Sequence, residues 1–594
     1  MRAAIAAHRA GQLEEAIGHY RQAVRHTSHF PQGHYNLGLA LKAAGKVKAA
    51  EAALTEALRL DPRYGRAHAG LAALYAARGT SAKALRHWIN AYRLLPNEPD
   101  IINSLVAALG KMRFDQADER LPALVTELLL RPDVEVQRLA GPALSLLALD
   151  PRIKQALQSS NAAHLPTTDP PALLLATLKR IIIADPTWET LLTQARNELV
   201  ESFQSLDDPH AVFSQALADQ MLATEYAYAE LGLESPDTQP PPQTLELSAA
   251  HLRFALCAPL ASVAEQLEAP DGWTTFCTTH VDYPRQEREA AAAITSLSPI
   301  EDETSLAVRD QYMALPYPRW LSTRGIVAQP RHGVMRAALP GMQPLSAPDP
   351  KPLRVLVAGC GTGKHAIDVA TRFADAEVLA IDLSRTSLGY AIAQAGRLGI
   401  ANVRFAEADI LALGTLSERF DHIEAMGVLH HLHEPAAGWR VLCGLLAPGG
   451  TMRIGLYSRQ GRVSIQAAQA IAATFGHDAE GLRALRQAIR QLAPGHPAAG
   501  VTRELDFYSL SGVRDALAHA QEHDYTLPEI AALLEELSLE FLGFEFATPQ
   551  AHQRYAEAFP DDPTAADLTC WDRLERQHPD LFHHMYQFWC RPLG

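Results

Sequence analysis

The sequence predicts a multidomain chain, with an all-α repeat solenoid at the N-terminus, a helical middle, and a C-terminal α/β domain built on a parallel sheet. Three observations lead there. The first hundred residues resemble themselves at a fixed interval, residues 121–300 show helical apolar spacing broken by prolines, and short apolar β-branched runs alternate with helical stretches after residue 350. At 594 residues the chain is too long for one core, and three or four domains are expected. Their expected limits are 1–120 for the repeats, 121–300 for the helical middle, 301–349 for a Pro- and aromatic-rich linker, and 350–594 for the α/β domain, with a helical insertion at about 459–538.

The repeat emerges when the chain is shifted by 34 residues, which aligns Gly11 with Gly45 and Gly79, Ala16 with Ala50 and Ala84, and Ala23 with Ala57 and Ala91. Tyr20, Leu54 and Trp88 then fill one bulky position, Leu37 and Leu71 another, and Pro62 matches Pro96. Small alanines let paired helices approach, large residues fill the gap between them, and proline ends the second helix. This pattern resembles the tetratricopeptide repeat, with His34 and His68 where Trp is usual. Three repeats are clear; a fourth keeps Leu105 and Leu109 but has Arg113 and Asp118 where Gly and Ala are expected. The resemblance implies a concave face that holds a peptide or a protein partner, or else a rigid spacer or dimerisation arm.

In the middle, Ala172 to Ile183 and Ala211 to Leu233 carry apolar residues at helical spacing, and Pro166 to Pro171 and Pro236 to Pro242 mark turns. The segment reads as a lid or substrate platform without assignable chemistry. Further on, Gln311-Tyr312-x-x-x-Pro316-Tyr317-Pro318-Arg319-Trp320 should run extended because of its prolines. It is either a linker whose aromatics anchor it on the next domain or a flap over a ligand entrance, where an aromatic face meets a cation.

The sharpest motif is Val355-Leu-Val-Ala-Gly-Cys-Gly-Thr-Gly363. Leu353 to Val357 reads as a buried parallel strand and Lys364 to Arg372 as a helix, so Gly359, Gly361 and Gly363 lie on the turn between them. A second strand, Glu377 to Ile381, ends at Asp382, where a carboxylate is placed to accept hydrogen bonds from ribose hydroxyls. The glycine spacing is G-x-G-x-G rather than the dinucleotide G-x-G-x-x-G, and no G-x-x-x-x-G-K-[ST] loop is present. A third strand, Asn402 to Ala406, leads to Ala408-Asp409-Ile410. A fourth starts at Phe420 and exits through Leu429-His-His-Leu-His433, a helix covers about Glu434 to Leu446, and a fifth strand runs from Thr451 to Tyr457. This succession resembles the class I S-adenosylmethionine-dependent methyltransferases.

What the resemblance implies is a Rossmann-like seven-stranded sheet whose last two strands, here Leu539 to Phe546 and His584 to Cys590, form an antiparallel edge hairpin. It also implies S-adenosylmethionine as cofactor. The loop Gly359, Cys360, Gly361, Thr362 and Gly363 would hold its methionine part, Asp382 its ribose, and Asp409 with Ile410 its adenine, with Leu383 packed nearby. The chain departs from the family at Val357, where an acid that braces the loop is usual. Insertions near the last strands build the acceptor pocket in this class. The stretch between Tyr457 and Glu540, roughly eighty residues and too long for a plain connection, offers Asp506, Tyr508, His519, His523 and Tyr525, with Tyr317 a further candidate. Thr526 and Glu529 form a capping box for a helix from Leu527 to Leu537.

Methyl transfer from a sulfonium is an in-line displacement, so a base is needed only for an acceptor that carries a proton. His430 and His431, at the carboxyl edge of the sheet, are the expected bases; the alternative is that either packs beneath the cofactor or bonds the loop. No [DNS]-P-P-[YF] tetrad occurs at this loop, which speaks against DNA adenine or glutamine methylation. No carboxylate spacing completes a metal site with the histidines. A net charge of −14 speaks against nucleic acid as the main partner. Six scattered cysteines and the lack of an apolar run of membrane-spanning length point to a cytoplasmic protein with reduced thiols. The expected function is a methyltransferase acting on a protein or peptide recruited by the repeat arm. A small-molecule O- or N-methyltransferase and a non-catalytic adaptor remain the alternatives.

Overall fold

Gly11, Gly45 and Gly79 each take a left-handed backbone, φ +76°, +71° and +71°, at the turn inside a helical hairpin. That conformation explains why glycine recurs there, since any added Cβ would meet nothing and only the backbone angle demands it. In the computed structural model, residues 1–116, 118–228, 240–339, 349–546 and 549–593 are described. The chain divides into two compact units, Met1–Asp150 with Ser322–Val327, and Pro151–Leu321 with Ala328–Gly594. The expected limits at 120, 300 and 349 do not coincide with that division.

The first unit is a succession of helices, among them Leu13–His26, Pro31–Ala43, Val47–Leu60, Gly65–Ala77 and Ser81–Leu94. Val47–Leu60 and Ser81–Leu94 each stop two residues before Pro62 and Pro96. A Cβ on Gly38 would stand 2.6 Å from Leu54 Cγ, so the small residue lets the paired helices touch. His34 and His68, at the usual Trp position, instead place Nε2 3.2 Å from the Ser28 carbonyl and 3.3 Å from the Pro62 carbonyl, the same offset in successive repeats. The fourth pair persists as Pro99–Gly110 and Arg120–Leu130, with Leu105 and Leu109 fully buried.

The second unit holds the middle helices and a seven-stranded sheet. Its strands are β1 (Leu353–Ala358), β2 (Ala376–Asp382), β3 (Val403–Glu407), β4 (Phe420–Met426), β5 (Leu446–Tyr457), β6 (Leu539–Phe544) and β7 (Met585–Pro592). They lie in the order β3-β2-β1-β4-β5-β7-β6, parallel through β5, with β7 antiparallel to both neighbours. Every expected strand is present. β5 begins earlier than expected because Leu446 already pairs with Phe420, and Pro448-Gly-Gly450 is absorbed as an irregularity before Thr451 pairs with His422. The order reverses between β1 and β4, which opens a crevice at their carboxyl ends.

Two expectations for the second unit change. Gln311 to Trp320 is not extended throughout. A helix, Glu303–Ala314, covers its start because Asp302 caps the N-terminus by accepting the Ser305 N–H, and the chain straightens only at the prolines. In the middle, Ala172–Arg180 and Ala211–Ala223 are shorter than their apolar spacing suggests. The stretch from 229 to 233, most of the turn at 236–242, and linker residues 340–348 lie outside the described residues. Among the described residues no helix is long and apolar enough to cross a membrane.

The middle helices fix the insertion after β5. Glu189 on Pro186–Ser202 forms a buried pair with Arg486 on Ala479–Arg490, Nη2 to Oε2 at 2.9 Å. Glu225 accepts the Ser511 N–H at 2.6 Å and so satisfies a first-turn donor of the helix Leu510–Leu517, which Ser509 caps.

Candidate functional site: a crevice between the glycine loop and the insertion

The loop after β1 turns three times through left-handed backbone, with φ +68° at Gly359, +51° at Gly361 and +83° at Gly363. Side chains are excluded by sterics as well as by angle. A Cβ on Gly359 would lie 2.3 Å from Val428 Cγ2, and one on Gly363 2.4 Å from Ala391 Cβ. Gly361 faces a cavity of about 390 Å³ that runs from this loop to the end of β5. Asp382, at the end of β2, accepts the Gly361 N–H on one oxygen at 2.8 Å and the Ser384 N–H on the other at 2.9 Å. Burial raises its pKa, while these hydrogen bonds act to lower it. Asp409 accepts the Leu411 N–H at 2.9 Å, and its own N–H donates to Ser298 Oγ at 2.9 Å, which sets Ile410 against the cavity.

The Pro-aromatic segment is both anchor and wall. Trp320 donates its indole N–H to the Thr362 carbonyl at 3.0 Å, and the Thr362 hydroxyl donates to the Pro318 carbonyl. Arg319 spreads over the Tyr390 ring, 4.7 Å from its centre. Tyr317 and Pro318 line the cavity, and the Tyr317 hydroxyl donates to Asp506 at 3.0 Å.

The acid missing at Val357 has a counterpart one strand away. Glu424 on β4 is the register partner of Val357 and is fully buried. It accepts from His365 Nε2 at 2.7 Å, Arg372 Nη2 at 2.6 Å and Arg453 Nη1 at 3.0 Å. Burial alone would raise its pKa; the two guanidinium groups and His365 outweigh it and hold the carboxyl well below the usual range. His365 and Arg372 are near opposite ends of the helix Lys364–Arg372, so one buried carboxylate ties down the helix that follows the glycine loop.

The far wall comes from β5, the exit loop of β4, the helix Glu303–Ala314 and the insertion. Tyr457, Tyr312, His431 and Asp515 line it. The Tyr312 hydroxyl donates to Asp515 Oδ1 at 2.6 Å and contacts His519 Nε2 at 3.1 Å. Because His519 Nδ1 accepts the Gln521 N–H at 3.1 Å, its ring proton lies on Nε2, giving a directed chain His519 → Tyr312 → Asp515. His431 stacks on His519, ring centres 3.8 Å apart, and donates from Nδ1 to the Gln521 carbonyl at 2.8 Å, which leaves Nε2 as acceptor. Desolvation drives the His431 pKa well below its usual value and that of His519 down to about 4, while burial pushes Asp515 up to about 7. The ordinary ranking of base strength is thereby inverted, and the carboxylate is the stronger base. Burial also holds Tyr312, Tyr317 and Tyr457 well above the usual phenol range, so they remain protonated donors.

Of the residues singled out in the sequence, Gly359, Cys360, Gly361, Thr362, Asp382, Leu383, Asp409, Ile410, His431 and Tyr317 meet on this one cavity. Gly363 stands behind the loop as the N-cap of the helix. The base expected at His430 is not on the wall: the ring is fully buried and lies tilted against Tyr457, ring centres 3.8 Å apart. Tyr508 is likewise corrected, since it is buried and donates to the Thr502 carbonyl at 3.0 Å. His523 faces a separate surface groove with Glu434 and Arg459, because its backbone N–H is tied to the His430 carbonyl. Asp506 sits just behind Tyr317, and Tyr525 pairs its N–H with the Tyr457 carbonyl at 2.9 Å. Asp515 and Glu424 were missed. Glu424 had a signal, a charge within an apolar strand; Asp515, four residues after Ser511 on an amphipathic helix, reads as a solvent-facing acid. Among the described residues no group of three or more His, Cys, Asp or Glu side chains could hold a metal ion.

Comparison with known proteins agrees with this architecture. Residues 355–450 match the family model described as a methyltransferase domain, and residues 6–45 and 31–64 match tetratricopeptide repeat models. An uncharacterised protein of a Synechococcus species is 33% identical over 258 residues, 40% of this chain and 61% of the relative. Trans-aconitate 2-methyltransferase of Methylobacterium radiotolerans is 41% identical over 96 residues, 16% of this chain and 35% of that enzyme. The chain thus spans less than two thirds of the length of these relatives. The structure of PKMT2 from Rickettsia typhi is similar with a TM-score of 0.32 and 17% identity, covering 43% of this chain and 50% of that one. With its glycine loop, sheet order and helical repeats, the chain carries a methyltransferase domain like that of the class I S-adenosylmethionine-dependent methyltransferases, together with N-terminal tetratricopeptide repeats.

Proposed function

We propose that the chain transfers the methyl group of S-adenosylmethionine to a protein or peptide acceptor recruited through the repeat arm. The observation that carries the reading is the cavity at the carboxyl ends of β1, β2 and β4, where Gly361, Asp382 and Asp409 converge. The residues fit the cofactor. Each Asp382 oxygen spends one lone pair on a backbone N–H and keeps another for a ribose hydroxyl. A Cβ on Gly361 would stand 3.0 Å from the Tyr317 carbonyl, within the cradle. The glycine loop would hold the methionine part, Asp382 the ribose, and Asp409, Ile410 and Leu383 the adenine. When bound, the sulfonium supplies an activated methyl group. The chain's own residues orient the acceptor and exclude water, a task suited to the strap at Tyr317–Trp320 and to the insertion.

Protein recruitment is supported by the repeats, which in general serve protein–protein contacts. A small-molecule acceptor is the second reading, favoured by the name of the Methylobacterium relative. Calorimetric titration with S-adenosylmethionine, followed by incubation of cell lysate with methyl-labelled cofactor, tests both. The proposal expects saturable binding, and label in macromolecules. Label confined to small metabolites selects the second reading. Binding with no turnover on any fraction leaves an adaptor.

A further inference from the structure

The acceptor end of the cavity holds two carboxyl groups that no basic side chain of the described residues pairs directly. Asp515 and Asp506 have no basic partner within 4 Å among the described residues, and each gives one oxygen to a tyrosine hydroxyl. The second oxygen of Asp515 accepts no hydrogen bond among the described residues. Arg462, whose charge acts on both aspartates, lies 3.6 Å over the Tyr457 ring, and Glu522 and Asp524 pair with it at 2.5 Å and 3.2 Å. His430, His431 and His519 are held neutral at pH 7 because burial depresses their pKa values, while His584, raised by Glu504, acts on Asp506 from behind. Three tyrosines complete the wall. Buried carboxylates beside aromatic rings complement a cation, and they repel an anionic acceptor such as a carboxylic acid.

Resting on the transferase reading above, we infer that the acceptor is a primary amine, seated as its ammonium on Asp515 with Asp506 behind it and Tyr312, Tyr317 and Tyr457 around it. The ammonium passes one proton to the free Asp515 oxygen and becomes a neutral amine. The nitrogen lone pair then forms the N–C bond to the sulfonium methyl as the C–S bond breaks, and that electron pair stays on sulfur. The product is a protonated secondary amine, and Asp515 returns its proton to solvent. A pKa near 7 suits Asp515 to both halves of this exchange.

Calorimetry on the full-length protein saturated with S-adenosylhomocysteine, with n-butylammonium, n-butanol and n-butyrate as probes, tests the assignment. The ammonium is expected to bind at least about tenfold more tightly than either of the others, the scale of a charge-assisted hydrogen bond. Asp515→Asn is expected to abolish that preference and keep the affinity for S-adenosylhomocysteine within about twofold. The preference is read on the unaltered protein, so a variant that fails to fold leaves the test standing. In the labelled lysate, acid hydrolysis should release the label as N-methylamine, from the retained macromolecules if the source is a lysine side chain and from the ultrafiltrate if it is a free amine. Label released by mild alkali as methanol overturns the inference, as does equal binding of the three probes. If the unaltered protein does not bind S-adenosylmethionine, the transferase reading falls and takes this one with it; if it binds and shows no ammonium preference, only the acceptor assignment falls.

Discussion

Asp515→Asn should change the way stability depends on pH. The carboxyl rises from 3.8 in the unfolded chain to about 7 in the folded protein, chiefly through burial. Between those values the folded state holds a proton that the unfolded state has released, so stability falls as pH increases through this window. The loss is complete above pH 7, where the folded protein must bury the charged form. A rise of roughly three at about 1.4 kcal/mol each gives an upper bound of about 4 kcal/mol. Asn is close in shape, keeps an acceptor for Tyr312 and does not titrate, so the variant lacks this slope. Urea unfolding of both proteins at unit steps from pH 4 to pH 8 should show the variant gaining on the parent by several kcal/mol, with most of the gain between pH 5 and pH 7. A stability difference that stays constant within about 0.5 kcal/mol would refute the assignment of Asp515 as a buried carboxyl that takes up a proton near neutrality.

Gly363→Ala combines left-handed backbone with a Cβ 2.4 Å from Ala391, and should cost about 2–5 kcal/mol in chemical denaturation. Glu424→Gln removes the buried carboxylate that Arg372 and Arg453 share, leaving them Glu545 at 3.6 Å and 2.9 Å, and should cost about 3 kcal/mol. Because the Glu424 pKa is depressed, its contribution is present above the ordinary carboxylate range and fades as pH falls through the lower folded value; the variant's melting temperature should therefore be less sensitive to acid. Trp320→Phe removes the donor to the Thr362 carbonyl, and should cost about 1 kcal/mol and weaken S-adenosylmethionine binding severalfold in calorimetry.

The parts of this protein legible in its sequence are those whose signals are local. Strand, glycine turn, helix and the acid closing the next strand follow one another along the chain, so Gly359 to Gly363, Asp382 and Asp409 could be placed without knowledge of packing. The repeats were legible because their spacing is internal to the sequence. The acceptor wall was not, since Tyr312, Tyr457 and Asp515 are far apart in sequence and meet only when the insertion is seated by Glu189–Arg486 and by Glu225 on Ser511. Base strength was misjudged for a related reason. Free imidazole is the better base near neutrality, and only burial reverses the order of His431 and Asp515.

Locating the bracing carboxylate on β4 instead of β1 has a mechanical result. The strand that carries Glu424 ends at Met426 and leads into Gly427 and Val428, all of which line the crevice, while the same carboxylate clamps the helix that follows the glycine loop. The helix after the glycine loop and the crevice floor hang from a single rod. A sub-ångström slide of that rod would carry both together, where two independently mounted halves would shear apart.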